Sequence, residues 1–298
     1  MSIQAIESDS AISVILAENV SRLRSVEPLD LRLSERSELG GGRPTFEWVE
    51  PTLLLVDESY QRDLSARSIR LIRKIVAHWD WRRFKPPVVA PVETGLEVID
   101  GQHTAIAAAT HPEIDQIPVM IVKADERVLR AAAFIGHNRD RIAITPMQMH
   151  VAAVTAGSED ALTVEQVCRK AGIILLKAPP GDGEYNSGET LAVSSITKLI
   201  DRRGAMRARQ ILQVLAEAEC APVSAAGIRA VEMLLLDADF AGKISSAELS
   251  QILRDLGPAA VSEAKLFAAT HRIPLWRALG TVIFRRRRKN GAESKPSP

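Results

Sequence analysis

Apolar positions along this chain follow two periods, and the change from one to the other divides it. Between residues 46 and 122, short apolar runs alternate with helical patterns. Thr52 to Val56, Pro87 to Pro91, Leu96 to Ile99 and Ile117 to Val122 read as strands, with Thr94-Gly95 as a turn between the second and third. Ser65 to His78 reads as an amphipathic helix, with Ile69, Ile72, Ile75 and Val76 on one face and Arg and Lys opposite. An Ala-rich helix follows Gly101, from Ala105 to Thr110. Beyond Ala124 the period is helical throughout: Arg127 to Ile135, Pro146 to Ala156, Thr163 to Ala171, Ser194 to Asp201, Ala205 to Ala218, Ala225 to Leu236, Ser245 to Leu256 and Ala259 to Thr270. Thr145-Pro146, Ser224 and Ser245 with Glu248 are helix-start signals. Ala178 to Gly188 is rich in Pro and Gly and reads as a loop.

The expected class is α+β: a small mixed α/β domain over 46–125, then an all-helical domain over 126–289. Residues 1–45 read as a helix, with Ile12, Ile15, Leu16, Val20 and Leu23 at helical spacing, followed by a linker around Gly40-Gly41-Gly42. Residues 290–298 read as a disordered polar tail.

Composition narrows the options. Hydrophobic residues make up 46% of the 298, enough for a sizeable aliphatic core. A net charge of +1 gives no whole-chain field toward nucleic acid, so such binding requires local patches. Cys168 and Cys220 have no metal-ligand spacing around them and read as free thiols of a reducing compartment. No apolar run approaches the roughly 18 residues of a membrane span, and no signal peptide is visible, so a cytoplasmic protein with no membrane partner is expected.

The chemistry concentrates at Val98-Ile99-Asp100-Gly101-Gln102-His103-Thr104. A strand that turns at Gly and opens a helix presents free amides to an anion, and Gln102, His103 and Thr104 add side-chain donors. Asp100 and His103 are the candidate catalytic pair: Asp100 to polarise His103 or hold Mg²⁺ with phosphate oxygens, His103 as acid or base. The structural alternative is an N-cap aspartate and an ordinary helix-start histidine. No all-protein metal site is expected.

Three segments share one order: Tyr60-Gln61-Arg62, then Asp100 to Thr104, then Asn138-Arg139-Asp140-Arg141 with Thr145-Pro146. Over about residues 48–155 this pattern resembles the ParB/sulfiredoxin superfamily, and more closely its ParB-like members. The resemblance implies that fold for the α/β domain and a nucleoside triphosphate site, for CTP or ATP, with Mg²⁺. Carried onto this sequence, it assigns phosphate or nucleotide contacts to Gln61, Arg62, Gly101, Gln102, His103, Thr104, Asn138 and Arg141. Three positions depart from the family pattern: Thr104 stands where the family has arginine, His137 where it has glutamate, and Gln102 where the sulfiredoxin reaction needs cysteine. Arg62 is the candidate to supply the charge that Thr104 lacks.

The resemblance also implies a helix-turn-helix after this domain. Thr163 to Ile173 fits its first helix and turn, but Ile173 to Leu176 and the Pro/Gly loop then interrupt it, leaving Ser194 to Ile200 as a displaced recognition helix. Lys198, Arg202 and Arg203, and the run Arg285, Arg286, Arg287, Arg288 and Lys289, are the candidate DNA contacts. The leading expectation is a ParB-like, DNA-associated partition protein of plasmid or phage type, with a homodimer implied by the family. The alternatives are a phosphoryl-transfer enzyme or nuclease on the same fold, which includes CTP or ATP hydrolysis, and a degenerate module that binds only proteins.

Overall fold

The computed structural model describes residues 25–29, 39–59, 61, 64–140 and 143–287. Its contacts fall into two units, one running to Ala143 and the other resuming at Ile144.

The first unit holds a five-stranded sheet: β1 (Thr45–Val49), β2 (Leu54–Leu55), β3 (Val88–Val92), β4 (Gly95–Asp100) and β5 (Ile117–Ile121), in the order β1-β5-β3-β4-β2. β1–β5 and β3–β4 are antiparallel, while β5–β3 and β4–β2 are parallel. Consecutive residues of β3 and β4 are buried, because both sheet faces are covered. On one face Val89, Val98, Ile117 and Val119 pack with Ala105 and Ala108 of α2 (Gln102–Thr110). On the other, Val88, Ala90 and Ile99 pack with Ala133 and Phe134 of α3 (Arg127–Arg139). The alanines let α2 lie close to the sheet. α1 (Ala66–Ala77) starts at Ser65, whose side chain accepts the Ser68 amide at 3.1 Å.

Two sequence expectations change here. The stretch from Thr52 is a 3₁₀ turn (Pro51–Leu53) before a two-residue β2, and β1 lies where the sequence suggested no strand. α3, assigned from sequence to the helical domain, belongs with the sheet: Arg130 is buried in an ion pair with Glu97 of β4 at 2.8 Å.

The second unit contains α4 (Pro146–Thr155), α5 (Glu159–Ala171), α6 (Val193–Glu217), α7 (Ala225–Leu236), α8 (Ser246–Leu256), α9 (Ala259–His271) and α10 (Leu275–Arg285). Thr145 and Gln148 form a reciprocal capping box on α4. Leu199, Ile211, Leu212, Leu215, Ile228 and Ile283 form the centre of one continuous core. α6 joins two expected helices across a break at Gly204, where φ is 76° and ψ 160°. Gly280 brings α10 close to α7: an added Cβ would overlap Met233.

Candidate functional site

β4 ends at Asp100, and Gly101 turns the chain with a left-handed backbone (φ 92°) to cap α2. A Cβ at Gly101 would lie 3.0 Å from the Pro87 Cα, so the turn requires glycine twice over. The Gly101 carbonyl accepts the amides of Thr104 at 2.9 Å and Ala105 at 3.0 Å. No side chain caps the helix. The Gln102 and His103 amides are the ones helix geometry leaves without an intrahelical acceptor, at the positive end of the dipole. Gln102, His103 and Thr104 are all half-buried around them.

Asp100 is largely covered and lies 3.9 Å from the Lys85 Nζ. Lys85 in turn borders an open concavity with Ala133, Gly136, His137 and Asp140 at the end of α3. Through Lys85, Asp100 at the end of β4 is linked to the end of α3, although α2 and α3 cover opposite faces of the sheet. Asn138 does not point its amide there: its Nδ2 donates to the Phe134 carbonyl of its own helix at 2.8 Å. Gln61 is buried, and its side-chain amide donates to the Val98 carbonyl. It anchors the turn after β2 to β4, so that donor is committed to backbone. Tyr60, Arg62 and Arg141 lie outside the described residues. Arg127 at the start of α3 ties that same turn down through Asp57 at 2.9 Å. Hydrogen bonds from Ser59 and then Arg127 hold the Asp57 carboxyl down at about 2.

On the other side of Thr104 lies a cleft of ≈ 230 Å³ that the motif pattern did not reveal. Leu71 and Lys74 of α1, Trp79, Arg83 and Phe84 line it, with Thr104 at its edge. Trp79 Nε1 is buried and has no hydrogen-bond partner among the described residues. A signal for this cleft existed in the run His78-Trp79-Asp80-Trp81-Arg82-Arg83-Phe84-Lys85, which interleaves aromatics and cations. Among the described residues, no group of three or more His, Cys, Asp or Glu is placed to hold a metal ion.

In the helical unit, Val164, Val167 and Cys168 of α5 share a core with Val193, Ile196 and Leu199 of α6. The interruption between them is a loop closed at its neck. β6 (Ile174–Leu175) pairs in parallel with β7 (Glu189–Thr190), and the Ile174 amide donates to the Gly188 carbonyl at 2.9 Å. Gly172 ends α5 in the left-handed region, and a Cβ on Gly188 would crowd its carbonyl at 2.7 Å. The first half of α6 thus packs on α5 despite the long excursion. Lys198 on that half is exposed.

Among the described residues, the other candidate DNA-binding cations have internal partners. Arg202 and Arg203 both bond the buried Glu232 of α7, at 2.7 and 2.8 Å. Burial pushes the Glu232 carboxyl up, but the two guanidiniums outweigh it and leave it below its ordinary value. Arg285 stacks over Phe267, Arg286 lies 3.2 Å from Glu263, and Arg287 stacks over Phe284. These three residues are folded against the helical unit rather than forming a loose arm. Arg288 and Lys289 lie outside the described residues. Both cysteines are free; burial pushes the Cys168 thiol up to about 12 and the Cys220 thiol up to about 11.

Among the described residues, no helix is long and apolar enough to cross a membrane. No family model and no curated protein matches this chain. Among solved structures, it is similar to the C-terminally truncated chromosome-partitioning protein ParB from Caulobacter crescentus, complexed with CTP-gamma-S. The identity is 14%, over 56% of this chain and 92% of that one, with a TM-score of 0.34. It is also similar to a Pnob8-like ParB-N domain at 13% identity, over 82% of this chain and 94% of that one, with a TM-score of 0.26.

Proposed function

We propose that this chain is a ParB-like, DNA-associated protein of partition type. In this reading its sheet unit binds a nucleotide or other phosphate, and its helical unit contacts DNA. The observation that carries the first half is the turn at Gly101. Left-handed backbone, a position where a Cβ would crowd Pro87, and an uncapped helix start together leave a seat for an anion. Gln102, His103 and Thr104 supply side-chain donors, and Lys85 supplies a nearby positive charge. Arg62 and Arg141 are the further phosphate contacts, Asn138 a polar one, and Gln61 anchors the chain just before Arg62 to β4. Asp100 is a single carboxylate, so a Mg²⁺ ion at this turn would be held mainly by phosphate oxygens and water. CTP and ATP are the nucleotides to test.

Isothermal titration of the full chain with CTP, ATP and GTP, with and without Mg²⁺, tests this half. Heat is expected with at least one nucleotide and is expected to weaken in His103→Ala. Silence with all three sinks it.

For DNA, the first half of α6 with Lys198 takes the place of a recognition helix, and Arg202, Arg203 and Arg285 to Lys289 add phosphate contacts. A gel shift over a salt series is expected to weaken steeply with salt. Deleting residues 285–298 is expected to reduce both affinity and salt slope; unchanged values would remove the tail from the interface. A homodimer is part of the same reading, and sedimentation with and without nucleotide tests it.

A further inference from the structure

Three of the four tryptophans gather around the 3₁₀ turn Trp81–Arg83. Trp81 is the hub, with ring centroids 5.4 Å from Trp79, 5.2 Å from Phe84 and 6.4 Å from Trp48. The Trp79 contact is edge-on and the other two are tilted, which fixes rings without covering their faces. Trp81 remains 50% exposed and Trp48 62% exposed. Exposed, rigid aromatic area of this kind loses hydration cost when something stacks on it.

The charge around these rings is cationic. Trp79, Trp81, Arg82 and Arg83 line an open concavity with His78 and Asp80. The Arg82 and Arg83 side chains are largely exposed, and Arg83 lies 3.7 Å from Asp80. Asp80 is the one carboxylate in that concavity, and it already accepts the Arg82 amide and guanidinium at 2.9 to 3.0 Å. Its negative charge is thereby offset, and a net positive rim remains beside the rings.

We propose that this surface binds single-stranded nucleic acid, with bases stacked on Trp48 and Trp81 and backbone phosphates beside Arg82 and Arg83. Every base has a π-face, so aromatic platforms flanked by cations take single strands with little sequence preference. A duplex keeps its bases stacked on one another and offers these rings nothing. Trp48, Trp81 and Arg82 do not line the cleft beside Thr104, so this inference stands apart from the nucleotide reading.

Anisotropy of a labelled thymidine oligonucleotide titrated with the full chain, with a matched duplex in parallel, tests it. The oligonucleotide is expected to bind, and Trp48→Ala and Trp81→Ala are each expected to weaken it about tenfold. Trp81→Phe, which keeps a ring, is expected to recover most of the loss. Arg82→Ala with Arg83→Ala is expected to lower the salt slope by about 0.7 for each phosphate contact removed. Duplex binding and nucleotide heats are expected to stay unchanged in Trp48→Ala. Circular dichroism reports the fold of each variant; if Trp81→Ala unfolds, the more exposed Trp48 and the arginine pair carry the test. No oligonucleotide binding by the natural chain overturns the proposal, as does binding indifferent to Trp48→Ala and to the arginine pair. Loss of self-association in these variants with oligonucleotide binding intact would also overturn it, and would make the surface a protein interface.

Discussion

At Gly101 an alanine meets two penalties at once. Its backbone would sit in the left-handed region, and its Cβ would press on the Pro87 backbone, which cannot swing away as a side-chain tip can. Gly101→Ala is therefore expected to destabilise the sheet unit by about 1–3 kcal/mol, read as a lower urea midpoint. Gly136, inside α3, is the contrast: nothing lies within 4 Å of an added Cβ and its φ is not positive. Gly136→Ala is expected to raise stability by roughly 0.5–1 kcal/mol. If both glycines respond alike, the conformational argument at the turn fails. Asp57 gives a pH signature at the same scale. Its folded carboxyl titrates at about 2, below the ordinary value of 3.8. The group therefore adds stability that is full above the ordinary value and is lost as pH falls toward 2. Comparing acid unfolding of Asp57→Asn with the natural chain checks this. The variant is expected to lose stability near neutral pH and to show a shallower decline below pH 4.

Glu232 shows how an element is held by charge. It lies on α7 among Ile228, Val231 and Leu234, and is kept ionised there by Arg202 and Arg203 on either side of one bond of α6. These arginines precede Gly204, where the helical backbone breaks, so the pair also fixes the first half of α6 to α7. Removing Arg203 leaves one guanidinium for a buried carboxylate. Arg203→Ala is expected to cost about 1.5–3 kcal/mol in thermal or urea unfolding, more than Lys198→Ala, which only trims an exposed cation. A DNA defect in Arg203→Ala larger than its stability loss accounts for is expected if Arg203 also contacts phosphate, and a defect no larger than that loss would confine it to holding Glu232.

The same two residues mark what sequence leaves unread at this scale. Their cationic character is evident in the sequence, but their partner is 29 and 30 positions away on another helix. The helices α4, α7 and α8 are legible because Thr145, Ser224 and Ser245 start them, and each side chain accepts an amide of the first turn. β1 was not. Its residues Thr45 to Trp48 are exposed, so no buried face imposes a period on them, and pairing with β5 alone makes the strand. The turn at Gly101 was legible because glycine chemistry is local. The cleft beside it was not, because its lining comes from α1, the 3₁₀ turn and α2 together.

Across the whole molecule, burial is divided along with the chain. Among the described residues, the helical core runs from Met147 to Ile283 and the two sheet-face clusters include nothing past Phe134. Such a division predicts that each unit can pay its own conformational entropy and fold alone. A fragment of residues 144–287 is expected to unfold cooperatively, with a midpoint close to that of the corresponding transition in the full chain. The cut belongs after α3, not before it. A fragment beginning at 126 would carry α3 away from Glu97 and Phe134's partners on the sheet, leaving Arg130 exposed and the sheet face bare. A sheet fragment ending at 125 is accordingly expected to aggregate or lack a cooperative transition, whereas one ending at 143 is expected to keep it. If both sheet fragments behave alike, α3 is not part of that unit's core, and the concavity that Lys85 shares with His137 and Asp140 is not needed to hold the sheet together.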